Sequence, residues 1–522
     1  MQQAKRVSQK VSVGVVVKIA LSRAKITKWN LFLRYMAIGI AIIQGLLMVP
    51  LYLQFIPVTT YSFWLATGNI LAWMSATDPG LTVVLQQQIA DAYGKNDFTK
   101  VKTLIGGGLL FSVIVFVLAV IFGLIAAQYL PDWLNITSKP DNELILEAFL
   151  LAIFGTALMI FSFGLAAINA GLQGSIIVGV INNSVAIASI LVTYHLLHLG
   201  FGLMALPISL VFSGVFYSFF QGMYLVIRVY KERIGITFSF IGMRDLGKLL
   251  SYTFLSRTLT TVANNIDLVV IAKILGPGSV AILALTRKSS DLSRELINQP
   301  TVAFQPAVSH ASGAGDVKKL GDVLARLVHI LTWLLFLVAG GIISFNEAFV
   351  HLWVGADFWA GSTVNLAICI ALTLTMMCSC LSQLCFSLGD VKGTSIVAGL
   401  QALLFIPLVI IGSEYFGILG AVCASIVSTL LVSVWYFPRK FKKLLNLSAQ
   451  NIESMSKQIL LCVMTILLLT YIFSFFIYNN WLEFFFFVGA YSAVYAIVMF
   501  ALSGSFRREV RFFLTGFTLF RY

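Results

Sequence analysis

Long apolar runs dominate the chain, and Gly, Pro and short charged clusters interrupt them at near-regular intervals. A helix that crosses a bilayer needs roughly 20 mostly apolar residues. Fourteen runs reach that length, at 31–55, 61–85, 103–128, 144–168, 175–197, 201–227, 249–274, 279–304, 322–344, 362–388, 394–412, 416–437, 458–478 and 482–503. Most are apolar on every face, as expected of helices surrounded by lipid and by one another. The pattern therefore predicts an all-α polytopic membrane protein of about 14 transmembrane helices.

The charges between the runs alternate in sign. Connections after runs 2, 6, 8, 10 and 12, together with both terminal segments, hold 28 of the 35 Lys and Arg residues. The opposite connections carry Asp132, Asp141, Glu143, Glu347, Asp357, Glu414 and Glu483, with Lys139 as their clear base. Bases collect on the cytoplasmic side of a membrane, so both termini are expected in the cytoplasm. The net charge of +14 is then mostly a topology signal, with attraction to anionic membrane lipids added. Nucleic acid is not needed to explain it. The first 30 residues read as a basic amphipathic segment on the inner leaflet, because Lys18 breaks the only short apolar stretch.

Composition agrees and excludes several classes. Hydrophobic residues make up 59% of the 522 and charged residues 11%. A soluble fold of this size could not cover that much apolar surface with a polar skin. No Walker A loop, HExxH or GxSxG is present, nor any soluble stretch large enough for an ATPase, which argues against an enzyme or a primary pump. The six Cys lie in apolar runs without a CxxC pair and read as small core residues. His195 and His198 are too few for a metal site, and no metal or other cofactor is expected.

An offset of 219 residues aligns Thr67 with Thr286, Val83 with Val302, Gln86 with Gln305, Ala92 with Ala311, Gly94 with Gly313, Asp97 with Asp316 and Lys100 with Lys319. The matches gather at the exits of runs 2 and 8, and an even number of spans between them preserves orientation. Two parallel, pseudo-symmetric six-helix bundles with two further C-terminal helices are the expected plan. The boundaries read as a basic cytoplasmic segment at 1–30, an N-terminal bundle at 31–227, a cytoplasmic linker at 228–248 and a C-terminal bundle at 249–437. A basic cytoplasmic loop follows at 438–457, then helices 13 and 14 at 458–503 and a cytoplasmic tail at 504–522.

A charge at the bilayer centre costs roughly 2.5–3.5 kcal/mol on insertion scales, so charged spans carry information. Run 8 holds Arg287, Lys288, Asp291, Arg294 and Glu295. Arg287, Asp291, Arg294 and Asn298 share one helical face. Two readings fit. The helix lines a watery cavity where Arg forks hold an anion, or an intrahelical ion-pair ladder lets it insert. Run 7 adds Arg257, Asn264, Asn265 and Asp267. Asp267 is a candidate for H⁺ or Na⁺ coupling, since an apolar setting favours the protonated carboxyl; helix packing through a hydrogen bond is the alternative. Asp78, in Asp78-Pro79-Gly80, fits a helix end, and Arg34 either faces a cavity or snorkels to the headgroups.

The series Met48-Val-Pro50-Leu-Tyr52, Tyr61-Ser-Phe-Trp64, Asp78-Pro-Gly80 and Ala90-Asp-Ala-Tyr-Gly94-Lys-Asn-Asp97 resembles the first two spans of bacterial polysaccharide and O-antigen repeat-unit flippases. These belong to the multidrug/oligosaccharidyl-lipid/polysaccharide exporter superfamily. Asn265-Ile-Asp267, Leu275-Gly-Pro277, Pro306-Ala-Val-Ser309, Leu352-Trp353-Val-Gly355 and Phe416-Gly417-Ile-Leu-Gly420 extend the resemblance over about residues 30–440, with Pro57 a departure. The resemblance implies a two-lobed alternating-access fold in the bacterial inner membrane. It implies a lipid-linked oligosaccharide substrate on a polyprenyl pyrophosphate, and as partners a polysaccharide polymerase and other assembly proteins. Arg287, Arg294 and Lys288 would then bind the pyrophosphate with help from Arg257, and Asp267, Asp291 or Glu295 would couple an ion. A peptidoglycan-precursor flippase or a drug or metabolite exporter of the same superfamily are the rival readings.

Overall fold

The computed structural model describes residues 23–74, 81–136, 139–238, 258–313, 317–445, 449–476 and 480–514. Among these the chain is all-helical. With no water in the bilayer core, every backbone N–H and C=O must be paired inside its own segment, which a helix does. Helices stand at all fourteen predicted runs. They are α1 (Arg23–Phe55), α2 (Val58–Met74), α3 (Leu81–Gly94), α4 (Phe98–Leu134), α5 (Lys139–Gly171), α6 (Ser175–His198) and α7 (Ala205–Glu232). Then come α8 (Thr258–Asn264) and α9 (Asp267–Leu275), followed by α10 (Pro277–Thr286), α11 (Lys288–Gly313), α12 (Val317–Trp353) and α13 (Ser362–Ser387). The last are α14 (Val391–Ser428), α15 (Val434–Leu445), α16 (Ala449–Phe473), α17 (Trp481–Leu502) and α18 (Gly504–Leu514).

Ten stretches among the described residues are long and apolar enough to cross a membrane, or eleven when α8 and α9 count as one bent span. One of them, Val391–Leu445, holds runs 11 and 12, which part at Gly417 (φ 60°, ψ −142°), a conformation open in practice to glycine alone. The other two runs depart from the simple helix for physical reasons. Run 2 is described in two pieces, the 17-residue α2 and α3, and residues 75–80 lie outside the described residues. Run 8 is split at Arg287 into α10 and α11, and α11 carries too many charges to pass as an ordinary span. Run 7 is bent by 44° between α8 and α9.

The chain packs as two compact units, the first from residues 1–49, 77–125 and 147–252 and the second from 50–76, 126–146 and 253–522. In the first unit Leu85, Ile89, Val101, Ile105, Ile168, Leu172 and Leu225 form a core with little or no exposed surface. Small residues bring helices together: a Cβ on Gly214 would stand 2.6 Å from the carbonyl oxygen of Gly155. Polar side chains then bond across the contacts. Asn183 Nδ2 donates to Leu33 O at 3.0 Å, and Asn169 Nδ2 donates to Gln221 Oε1 at 2.9 Å. Arg228, counted above as a topology base, is a clamp. It pairs with Glu232, donates to Leu172 O at 2.9 Å and to Tyr224 Oη at 3.1 Å, while Tyr93 Oη donates to Glu232 Oε2 at 3.0 Å.

In the second unit α12 is the central helix. One core joins it to α13 and α15 through Leu324, Leu331, Leu372, Met376, Leu384, Phe437 and Phe441. A second core joins it to α16 and α17 and is aromatic: Phe345 meets Phe473, Phe484 and Tyr491 with ring centroids 5.7, 6.2 and 5.6 Å apart. Tyr495 Oη donates to Trp333 O at 3.1 Å, and Gln458 Nε2 to His329 O at 3.0 Å. Runs 13 and 14 are thus packed on run 9 by rings and hydrogen bonds. Five of the six Cys are buried, the sixth is half-buried, and all are free thiols.

The turn at Gly417 brings two backbones into contact, since a Cβ on Gly412 would stand 2.5 Å from Gly420 O. Gly412→Val should therefore destabilise the protein by about 1–3 kcal/mol through forced separation. It would be read as a lower unfolding temperature in detergent. Gly399→Ala, whose Cβ meets only Leu259 at 3.8 Å, should unfold at or above the wild-type temperature.

Candidate functional site

The breaks in runs 7 and 8 create one polar cluster in the second unit. Between α8 and α9 the helical ladder fails at Asn265 and Ile266, which frees carbonyls that lipid cannot satisfy. Trp73 Nε1 donates to Asn265 O at 3.0 Å, and Asn265 Nδ2 donates to Thr261 O at 2.8 Å. The chain restarts at Asp267, whose Oδ1 accepts from the backbone N–H of Leu268 at 2.9 Å and from Asn69 Nδ2 at 3.2 Å. A carboxylate in the first turn of a helix also meets the positive end of the helix dipole. Gly276 (φ 85°, ψ 170°) then turns the chain, Pro277 starts α10, and Arg287 follows at its end.

Arg287 is the hub. Its guanidinium pairs with Asp267 through Nη1 and with Asp291 through Nε, the second contact at 3.2 Å. Exposure rises along this series, from 12% of the Asp267 side chain to 25% of Arg287 and 41% of Asp291. Both readings of run 8 therefore have a structural counterpart. The intrahelical pair exists, and it is extended by a carboxylate from α9 that helical spacing did not predict. Asp267 also changes the local balance. Arg287, Lys288 and Arg294 exceed Asp291 and Glu295 by one charge, and Asp267 cancels that excess.

The junction of α10 and α11 is held by a second set of bonds. Asn346 on α12 donates to Thr286 O at 2.9 Å and to Asn365 Oδ1 at 2.9 Å, and accepts from Ser289 Oγ at 2.6 Å. It thus spans the break on which Arg287 sits. Thr286 Oγ1 donates to Phe358 O and accepts from the N–H of Ala360, each at 3.0 Å. Asn69, Trp73 and Asn346 escaped the sequence reading, and Thr286 entered it only as a repeat match. The signal for the two Asn residues was there, since an amide in an apolar run also needs a partner.

The remaining candidates disperse. Lys288 is half-buried and Arg294 and Glu295 are exposed, and none has an ion-pair partner among the described residues. Asn298 Oδ1 accepts from Gln383 Nε2 at 2.7 Å, which turns that end of the α11 face toward α13. Arg34 is exposed on α1 in the first unit. Arg257 and Asp78 lie outside the described residues. Among the described residues no group of His, Cys, Asp and Glu could hold a metal ion.

Residues 82–363, more than half of the chain, match the family described as polysaccharide biosynthesis protein. No curated protein matches the sequence at a significant level. Among solved structures, the inward-facing conformation of a multidrug resistance MATE family transporter of the MOP superfamily is similar with a TM-score of 0.65 and 17% identity, over 78% of this chain and 96% of that one. The lipid II flippase MurJ in an inward closed conformation is similar with a TM-score of 0.64 and 14% identity, over 91% and 98%. An outward-facing MATE structure follows at 0.59 and 17%, over 80% and 95%. At these identities the likeness establishes the fold.

Removing one member of the Asp267–Arg287 pair leaves a poorly solvated charge, which in buried pairs costs about 3–5 kcal/mol. Arg287→Leu should lower the unfolding temperature in detergent more than the double variant Arg287→Leu/Asp267→Asn. Independent, additive effects of the two substitutions would show that the pair contributes nothing.

Proposed function

The chain belongs to the polysaccharide biosynthesis protein family, and from that premise we propose that it is a flippase for lipid-linked oligosaccharides. Its substrate is an oligosaccharide repeat unit on a polyprenyl pyrophosphate, carried across the bacterial cytoplasmic membrane by alternating access, with both termini of the chain in the cytoplasm. The observation that carries this reading is a pair of bases on α11 that form no ion pair among the described residues, half-buried Lys288 and exposed Arg294. Cations held by no close ion pair on an interrupted span suit a multiply charged diphosphate, whose oxygens accept charge-assisted hydrogen bonds.

Arg287 enters this scheme conditionally. At rest it is engaged by Asp267 and Asp291. A proton or a sodium ion that arrives at Asp267 competes with the guanidinium for the same carboxylate. Arg287 is then released to a phosphate oxygen, and departure of the substrate restores the pair. Ion entry and diphosphate binding are linked because both act on one guanidinium. Asn69, the N–H of Leu268 and the Asn346 bonds keep the carboxylate and the helix junction in place while Arg287 changes partner.

Charge-assisted hydrogen bonds contribute about 1.5–3 kcal/mol each. Lys288→Gln/Arg294→Gln should therefore reduce surface polysaccharide at least about tenfold at an unchanged level of protein in the membrane. Wild-type export by that variant would sink the anion-binding role. Native mass spectrometry of protein extracted from its own membranes checks the substrate class. A co-purified sugar-bearing polyprenyl pyrophosphate is expected, whereas a peptide-bearing disaccharide lipid would reassign the chain to cell-wall precursor transport.

A further inference from the structure

Two short helices of the second unit share an unusual construction. On α15, Phe437, Phe441 and Leu445 recur every four residues and are at most 4% exposed, so they bind this helix to the core around α12 and α13. Lys440 turns to Asp390 at 3.1 Å, and Tyr436 Oη donates to the same carboxylate at 2.8 Å. The outer face is left with Arg439, Lys442 and Lys443, all exposed, and α15 contains no acid. On α18 the single acid, Glu509, is buried and accepts from Nε and Nη2 of Arg326 at 2.8 and 2.7 Å. Phe506 rests edge-on against Trp333 with centroids 4.9 Å apart. Arg507 and Arg508 face outward.

Both helices flank the same end of α12. Leu445 O lies 3.5 Å from where a Cβ on Gly321 would stand, and Arg326, which holds Glu509, is in the next turns of α12. Their bases therefore border one end of the unit, on the side that the charge pattern assigns to the cytoplasm.

The depth of these bases follows from what precedes them. Leu431 is 60% exposed and Trp435 58% exposed, and Arg439 stacks on the Trp435 ring at 5.0 Å while donating to Trp435 O at 2.8 Å. Lys443 continues the same four-residue spacing. Along one stripe the exposed side chains run aliphatic, aromatic, cationic, which is the order of hydrocarbon, interface and headgroup. Across the junction of α17 and α18 the exposed side chains likewise pass from aliphatic, Ile497 and Leu502, to cationic, Arg507 and Arg508. A soluble acidic partner would not account for that gradient.

We propose that α15 and α18 form a collar that binds anionic phospholipid headgroups through Arg439, Lys442, Lys443, Arg507 and Arg508. The inward pairs Lys440–Asp390 and Arg326–Glu509 hold the collar to the bundle, and the second removes its one acid, Glu509, from the lipid-facing side. Lipid charge thereby secures α15, α18 and the end of α12 against one another. This site is separate from the polar cluster at Arg287 and does not rest on the proposed substrate.

The test is native mass spectrometry of the full chain in detergent with equal amounts of added phosphatidylglycerol and phosphatidylcholine. Wild type should retain phosphatidylglycerol preferentially, and the preference should weaken as salt rises. Arg439→Gln/Lys442→Gln/Lys443→Gln should lower that retention by about tenfold or more, and Arg507→Gln/Arg508→Gln by about fivefold or more, from the attraction of a basic residue to an anionic surface. Lys457→Gln, which removes an exposed base already paired with Glu453, should leave it unchanged. The five bases are exposed, so unfolding temperatures without added lipid should match wild type. A wild type that does not prefer phosphatidylglycerol, a preference insensitive to salt, or equal loss with Lys457→Gln would overturn the proposal.

Discussion

An ion pair between two broken helices organises the second unit. Asp267 and Arg287 each sit where a span is interrupted, and each would be costly to place alone among apolar helices. Together they tie α9 to the junction of α10 and α11, with Asp291 as a third, more exposed member. The interruptions expose backbone carbonyls, and lipid offers them no donors. That requirement places Trp73 on Asn265 O and Asn346 on Thr286 O. Charge pairing and backbone satisfaction are thus solved with side chains from α2, α9, α11 and α12 at one locus.

This locus has the chemistry of a switch more than of a fixed receptor. Arg287 is already occupied, so it is available to an anion only when a carboxylate lets go. Lys288 and Arg294 differ, because no ion pair competes for them among the described residues. A cluster of three bases and three acids is neutral in sum, yet its charges are unevenly engaged. In the proposed function, binding and ion coupling would be linked through one guanidinium without a long relay.

The bases on the cytoplasm-facing side, as the charge pattern assigns it, divide in the same way. Arg228, Arg326 and Lys440 are structural cations, each satisfied by a carboxylate that fixes a helix end. Arg439, Lys442, Lys443, Arg507 and Arg508 remain outward. A count of Lys and Arg records both groups alike, since membrane insertion responds to their presence near a span and not to their partners. Only the folded packing separates the clamps from the surface.

The helical class and the positions of the apolar runs were legible in the chain because the bilayer demands about 20 apolar residues per crossing. The importance of run 8 was legible too, since charge among apolar residues is conspicuous at any register. Helical periodicity supplied the Arg287–Asp291 contact, whose partners lie four residues, about one helical turn, apart. It could not supply Asp267 as the partner of Arg287, nor Asn69 beside Asp267, because these meet across 20 and 198 residues. The same limit explains why Arg287 and Arg294 looked equivalent. They share a helical face, but one meets a carboxylate from another helix and the other forms no ion pair among the described residues. Local spacing dictates which residues lie together on a helix, whereas packing dictates what stands opposite them, and the state of a charge depends on what stands opposite.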